Sequence, residues 1–213
     1  MCNGVYKSRK KRTLSHKIEN LFYPKLTIIK RTNNIPKMNL FILSLIQREI
    51  AEYMMDKHVS KILLEAAQML CSAKRILDPD DEETNQNLYK LAHKNHPVTI
   101  WCRKSKANFI WALDLAEELH KEWRFRYGHP DTKFHKSYLV TAYLREHIPS
   151  DDKFEETGLT QFALAMPEQY KTADPVLSYR LYYMSEEKQK IASWKKKRAK
   201  PEWYKTTTVS SAK

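Results

Sequence analysis

The stretch VTIWCRKSKANFIWALDLAEELHKEWRFR, residues 98–126, decides the fold class. Its apolar residues Ile100, Trp101, Ala107, Ile110, Trp111, Leu115 and Leu119 spread over a broad helical face. Asn95-His96-Pro97 forms a turn that opens a helix, and Tyr127-Gly128-His129-Pro130 closes it. One long helix from Val98 to about Arg126 is therefore predicted as the central core element.

Working outward toward the N-terminus, Leu40 to Leu45 is a short apolar run, and a helical pattern begins at Ile46 with Ile50, Tyr53 and Met54 on one face. From Val59 the apolar positions Val59, Ile62, Leu63, Ala66, Ala67 and Leu70 keep helical spacing on a rotated face. Two helices meeting near Asp56-Lys57-His58 account for the change of phase, with Asp56 placed to cap the second. An acidic loop follows at Asp78-Pro79-Asp80-Asp81-Glu82-Glu83.

Toward the C-terminus a helix is expected from about Thr132 to Glu146, stopping before Pro149. Residues 150–173 read as largely irregular, with a turn at Met166-Pro167. Asp174-Pro175 has the signature of an N-cap followed by proline in the first helical position. It starts a helix through about Ser193 that displays Tyr179, Arg180, Tyr182 and Tyr183.

Composition agrees with this reading. Only 3 glycines stand against 30 % charged residues in 213, which disfavours hairpin-rich β structure, and 42 % hydrophobic residues can bury a core. The expected fold is all-α: a compact helical domain over 38–205, a basic arm over 1–37 that is disordered when unbound, and a disordered tail over 206–213. With 3 glycines there is also no P-loop or dinucleotide-type motif, which disfavours kinases and nucleotide-driven motors.

The formal charge of +13 is uneven. Residues 1–37 carry 10 Lys/Arg against 1 acid and residues 186–213 carry 9 against 3, whereas 38–185 is near neutral with 19 against 21. Two basic ends on a neutral body suit a polyanion, nucleic acid first and a membrane surface as the competitor. No stretch approaches the roughly 18 apolar residues of a membrane span, and the first 37 residues lack a signal-type apolar run. Cys2, Cys71 and Cys102 form no C-x-x-C pair, so neither a disulfide framework nor a zinc ribbon is indicated, and a reducing, intracellular compartment fits. Arg9-Lys10-Lys11-Arg12 has the form of a nuclear address.

Several groups carry candidate chemistry, each beside a plainer role. Trp194 to Lys205 interleaves cations, among them Lys196, Arg198 and Lys205, with Trp194, Trp203 and Tyr204, the mixture needed for phosphate neutralisation and base stacking. The same rings would serve to pin the C-terminus to the core. Asp56-Lys57-His58 brings an acid, an amine and an imidazole into one turn, enough for an acid/base or Schiff-base centre. Arg103 beside Lys104 and Lys106, and Arg180 among its tyrosines, would clamp phosphate or pair with acids such as Asp114 and Glu117; Lys61, on a polar face with Lys57 and Gln68, would join them on nucleic acid or simply be solvated. His58, His93 and His96 include a ligand-like His-x-x-His spacing but no diagnostic Cys or Glu partner, and His96 before Pro97 suits a helix start.

Four short elements carry a resemblance: Ala51-Glu52-Tyr53 soon after Asn39-Leu40, His96-Pro97-Val98-Thr99, Met166-Pro167-Glu168-Gln169-Tyr170, and Pro201-Glu202-Trp203-Tyr204-Lys205. In order they resemble the small viral pyrimidine-dimer DNA glycosylases of the endonuclease V type, and uncharacterised proteins of phages and large DNA viruses. The resemblance spans about 38–205 and implies an all-α fold acting on damaged or modified DNA; the expected partner is nucleic acid, double-stranded DNA first, with a monomer favoured and no cofactor or metal expected. It implies an amine attacking the sugar C1′ to form an imine, a carboxylate assisting, and lyase cleavage of the strand. Glu52 and Tyr53 match the family's Ala-Glu-Tyr element. The family's essential glutamate falls about three residues beyond, where this chain has Met55, and Asp56 matches after a slip of one. The family's nucleophile is the α-amine exposed by removal of the initiator Met. Met38 would correspond to that Met, although a 37-residue arm precedes it and Asn39 is larger than methionine removal usually tolerates; either the chain starts at Met38 and Asn39 supplies the amine, or Lys57 supplies it, or the activity is lost. The alternatives are a non-enzymatic nucleic-acid-binding protein using the same basic ends, and a metal-dependent hydrolase centred on the histidines.

Overall fold

The computed structural model describes residues 38–206. The basic arm expected over 1–37 and the tail beyond 206 lie outside the described residues. Among the described residues eight α-helices follow in chain order: α1 (Gln47–Tyr53), α2 (Asp56–Leu77), α3 (Glu82–Gln86), α4 (Pro97–Lys104), α5 (Lys106–Tyr127), α6 (Lys136–Glu146), α7 (Pro175–Tyr183) and α8 (Glu186–Gln189). Two 3-10 turns, Asp151–Lys153 and Glu168–Tyr170, punctuate the segment between α6 and α7. Among the described residues there is no strand, only one isolated bridge between Ser105 and Glu156, so the body is all-α.

Helices α2 and α5, 22 residues each and about 33 Å long, form the centre. They pack against one another, with α4 and α6 also against α2, and α1 and α6 also against α5. Val59, Ile62, Leu63, Ala66, Met69, Leu70 and Ala73 of α2 are buried, as are Phe109, Ala112, Leu113, Leu115, Ala116 and Leu119 of α5. Burial of each larger side chain contributes about 1.5–3 kcal/mol, which is why these two helices bind the rest. Residues 38–43 are buried without being helical, and Phe41 takes a left-handed φ of +49°.

The long helix expected from Val98 to Arg126 is two helices. At Ser105 the backbone is extended, and its Oγ accepts from the Ala107 and Asn108 amides at 3.1 and 3.4 Å. Residues 156–160 take up the groups freed by the break: the Lys106 amide donates to the Glu156 carbonyl, and Glu156 donates back to Lys104. The helix opened by Asp174-Pro175 stops at Tyr183, not Ser193; the short α8 follows, and the chain then returns to the α1–α2 junction, where the Asp56 amide donates to the Ser193 carbonyl and the Trp194 indole to the Tyr53 carbonyl. Helix α6 starts at Lys136, later than Thr132, since His135 Nδ1 accepts from the Ser137 amide and caps it. The acidic loop contains the short α3, capped by Asp81. Asp174 and His96 are N-caps as expected, accepting from Val176 and Val98.

Candidate functional site

Asp56 does not cap α2; Met55 stands at the cap position and Asp56 is the first helical residue. Its carboxylate is used to lock the α1–α2 junction. Oδ1 accepts from Arg126 at 3.2 Å, and Oδ2 accepts from Ser193 Oγ at 2.9 Å and the Lys195 amide at 2.8 Å. Arg126, fully buried, donates also to Glu122 and to the Met54, Ala51 and Glu52 carbonyls. Glu122 in turn receives Arg198 at 2.9 and 2.8 Å, and Arg198 reaches Glu52 at 3.3 Å. Asp56, Glu52 and Arg198, expected at a reacting centre or on a phosphate, thus belong to one ion-pair network. An open groove of about 410 Å³ beside it, lined by Arg48, Glu52, Glu118, Lys121, Phe125 and Arg198, mixes both signs of charge and does not select a polyanion.

A second cluster forms where the buried N-terminal segment crosses α2. The Asn39 main-chain N–H donates to Glu65 Oε2 at 2.7 Å. Its side chain fixes the segment, donating to the Ala165 carbonyl at 2.6 Å and accepting the Phe41 amide at 3.1 Å. Lys61 Nζ lies 3.5 Å from the other Glu65 oxygen, with its own side chain 55 % exposed. Glu65 is buried, and burial pushes its carboxyl above the ordinary value against the pull of the Asn39 amide and of Lys61 and Lys188. Lys188 Nζ sits over the rings of Phe41 and Tyr182 at 5.6 and 5.0 Å.

His58 borders this cluster, stacked on Phe41 with centroids 5.1 Å apart. Tyr183 Oη accepts the Met55 amide and shares a 2.8 Å hydrogen bond with His58 Nδ1. Burial, reinforced by Lys188 and Lys61, holds His58 down at about 3, so the ring is neutral and accepts that proton from Tyr183.

Asn39, His58 and Lys61 are therefore brought together, and Lys57 is left exposed on the surface. Arg103 is engaged with the Lys94 carbonyl at 2.6 Å. Arg180 donates to the Leu43 carbonyl and lies over Trp203 and Tyr53 at 4.9 and 5.9 Å. Tyr204 is 1 % exposed and packs on Trp194, so it pins the tail and offers no face to a base; Trp203 is half-buried. Lys205 is exposed, and Lys196, also exposed, lies over Tyr127. The histidines do not assemble: His58 faces Tyr183, His96 caps α4, and among the described residues no group of three or more His, Cys, Asp or Glu is arranged to hold a metal ion. Among the described residues no helix is long and apolar enough to cross a membrane.

Glu65 is the residue that sequence reasoning passed over. A carboxylate set among Ile62, Leu63, Ala66 and Ala67, one turn after Lys61, is the signal that marks it. Comparison of the chain with protein families, curated proteins and solved structures finds no match.

Proposed function

We propose that the chain is a DNA-processing protein of the viral glycosylase type, forming an imine with a damaged or abasic nucleotide at Glu65. The observation that carries this reading is a buried carboxylate held 2.7 Å from the Asn39 nitrogen. In a chain that begins at Asn39 that nitrogen is a primary α-amine; with Met38 attached it is an amide, and Lys61 Nζ is the amine at the same carboxylate. Attack of the amine on C1′ forms a C–N bond as the glycosidic bond to the base breaks. Loss of a proton from nitrogen and opening of the sugar leave the imine. A carboxyl raised by burial can hold a proton for the ring oxygen and then, as carboxylate, remove a 2′ proton so that the 3′ phosphate departs. Glu65 takes the place expected of Asp56 here, because Asp56 has both oxygens committed to the junction.

Borohydride trapping on a duplex with one abasic site tests this, using the full chain and a chain whose first residue is Asn39, released from a cleavable fusion. A covalent protein–DNA adduct is expected in at least one of them, with Glu65→Gln lowering its rate by about 100-fold or more. Intact binding with no adduct in either chain would replace this reading with non-enzymatic nucleic-acid binding.

A further inference from the structure

We propose that the row of rings at the C-terminal end of α5 is a stacking platform for single-stranded nucleic acid. It rests on the nucleic-acid partner proposed above and not on the imine chemistry. Among the described residues the strongly exposed aromatic side chains are Phe125, Tyr127 and Phe134, at 45, 36 and 48 %. All fall between residues 125 and 134, and two of them end a continuous series. Tyr127 lies near-parallel to His129 at 6.0 Å and 15°, and His129 meets Trp123 at 4.1 Å. Trp123, half-buried, stacks on the buried His120 at 5.8 Å, and His120, stacked on Tyr138 at 3.9 Å, backs Phe134 at 5.7 Å and 24°, so the inner rings support the exposed end rings that would meet the bases.

Cations accompany the rings. Lys133 Nζ stands 5.8 Å from Trp123, and Lys196 Nζ 5.6 Å from Tyr127. Both lysines are exposed, and Asp131, the acid of this loop, is paired with Arg124 at 3.4 Å. Each ammonium lies over its ring, and a base that takes that face transfers the cation to its own phosphate, which is the pairing a nucleotide offers. Bases inside a duplex are already stacked on one another and offer only their edges, so this surface fits a single strand. The platform also borders the start of α2: Tyr127 Oη donates to the Asp56 carbonyl at 3.0 Å, and His135 Nε2 bonds Ser60 Oγ at 2.9 Å.

The test is fluorescence anisotropy of the full chain with a labelled 15-nucleotide oligothymidylate and with a 15-base-pair duplex, over about 50–300 mM salt. Phe134→Ala and His129→Ala are each expected to weaken oligothymidylate binding about 5- to 20-fold with little effect on the duplex. Lys133→Ala with Lys196→Ala should flatten the log K against log salt slope by about 1.4, at about 0.7 per phosphate on a single strand. Phe134→Leu keeps the apolar bulk and should lose nearly as much as alanine, which separates stacking from loss of fold. Unchanged oligothymidylate affinity in Phe134→Leu and His129→Ala, or an equal loss on the duplex, overturns the platform. Ring-dependent binding without a borohydride adduct sinks the imine alone, whereas an adduct with ring-independent binding sinks the platform alone.

Discussion

Arg126 is the side chain on which the junction depends. All five of its N–H donors are used: Nε to Glu122, one terminal nitrogen to Met54 and Asp56, the other to Ala51 and Glu52. Lysine could not reproduce this fork, and alanine would leave Asp56 and Glu122 short of their buried partner. Arg126→Ala is expected to cost about 3–5 kcal/mol, read from the shift in a urea unfolding midpoint. Two buried histidines contribute strongly to the response to acid. Burial holds His58 at about 3, and burial with Arg124 and His135 holds His120 at about 4, so both are neutral in the folded protein near pH 5. In the unfolded chain they take up protons near pH 6.5, so their stabilising contribution is complete above that value and is lost as pH falls toward 4. Glu65, raised by burial, works in the opposite sense and favours the folded protein at low pH. Near pH 5 each histidine should contribute about 1.4 kcal/mol per pH unit to the slope of unfolding free energy. His120→Phe should remove one such share, measured by urea unfolding at pH 7, 6 and 5. None of this was legible in the residues themselves, because it depends on which imidazoles the packing dries out.

At the scale of elements, Ser105 separates what periodicity can show from what it cannot. Residues 98–126 keep an apolar helical period through the serine, so the sequence reads as one helix, yet the backbone is extended there. The break is supplied from a distance: Asn108 Nδ2 donates to the Trp101 carbonyl and to Thr160 Oγ1, both at 2.8 Å, and Ser105 Oγ donates to the Gly158 carbonyl. Ser105→Ala should cost about 1–2 kcal/mol, seen as a lower thermal midpoint, since the cap and the bond to Gly158 go together. Caps followed by proline were legible because their signal is local: His96-Pro97 and Asp174-Pro175 are where the sequence puts them. The stop at Tyr183 was not, because it serves the return of residues 193–204 to α1 and α2.

For the whole molecule, the all-α class follows from scarce glycine and long helical periods, and the structure agrees. Of the candidate centre, Asn39 and His58 stood out as reacting groups and Lys61 as a phosphate contact, but their meeting was not visible, and Glu65, which receives the Asn39 amide, did not stand out beside Asp56. Proximity in sequence suggested Asp56, whereas a crossing of 26 residues brings Asn39 to Glu65. The tail was legible in composition and divided in use, Tyr204 buried as an anchor and Lys196 left at the surface. One further consequence concerns synthesis. Ser193, Lys195 and Arg198 close contacts with Asp56, Glu52 and Glu122 that were made far earlier in the chain. While the ribosome still holds residues 193–198, Glu52, Asp56 and Glu122 have, among the described residues, only Arg48 and Arg126 as partners, so a copy terminated before Ser193 leaves the α1–α2 junction open to proteases.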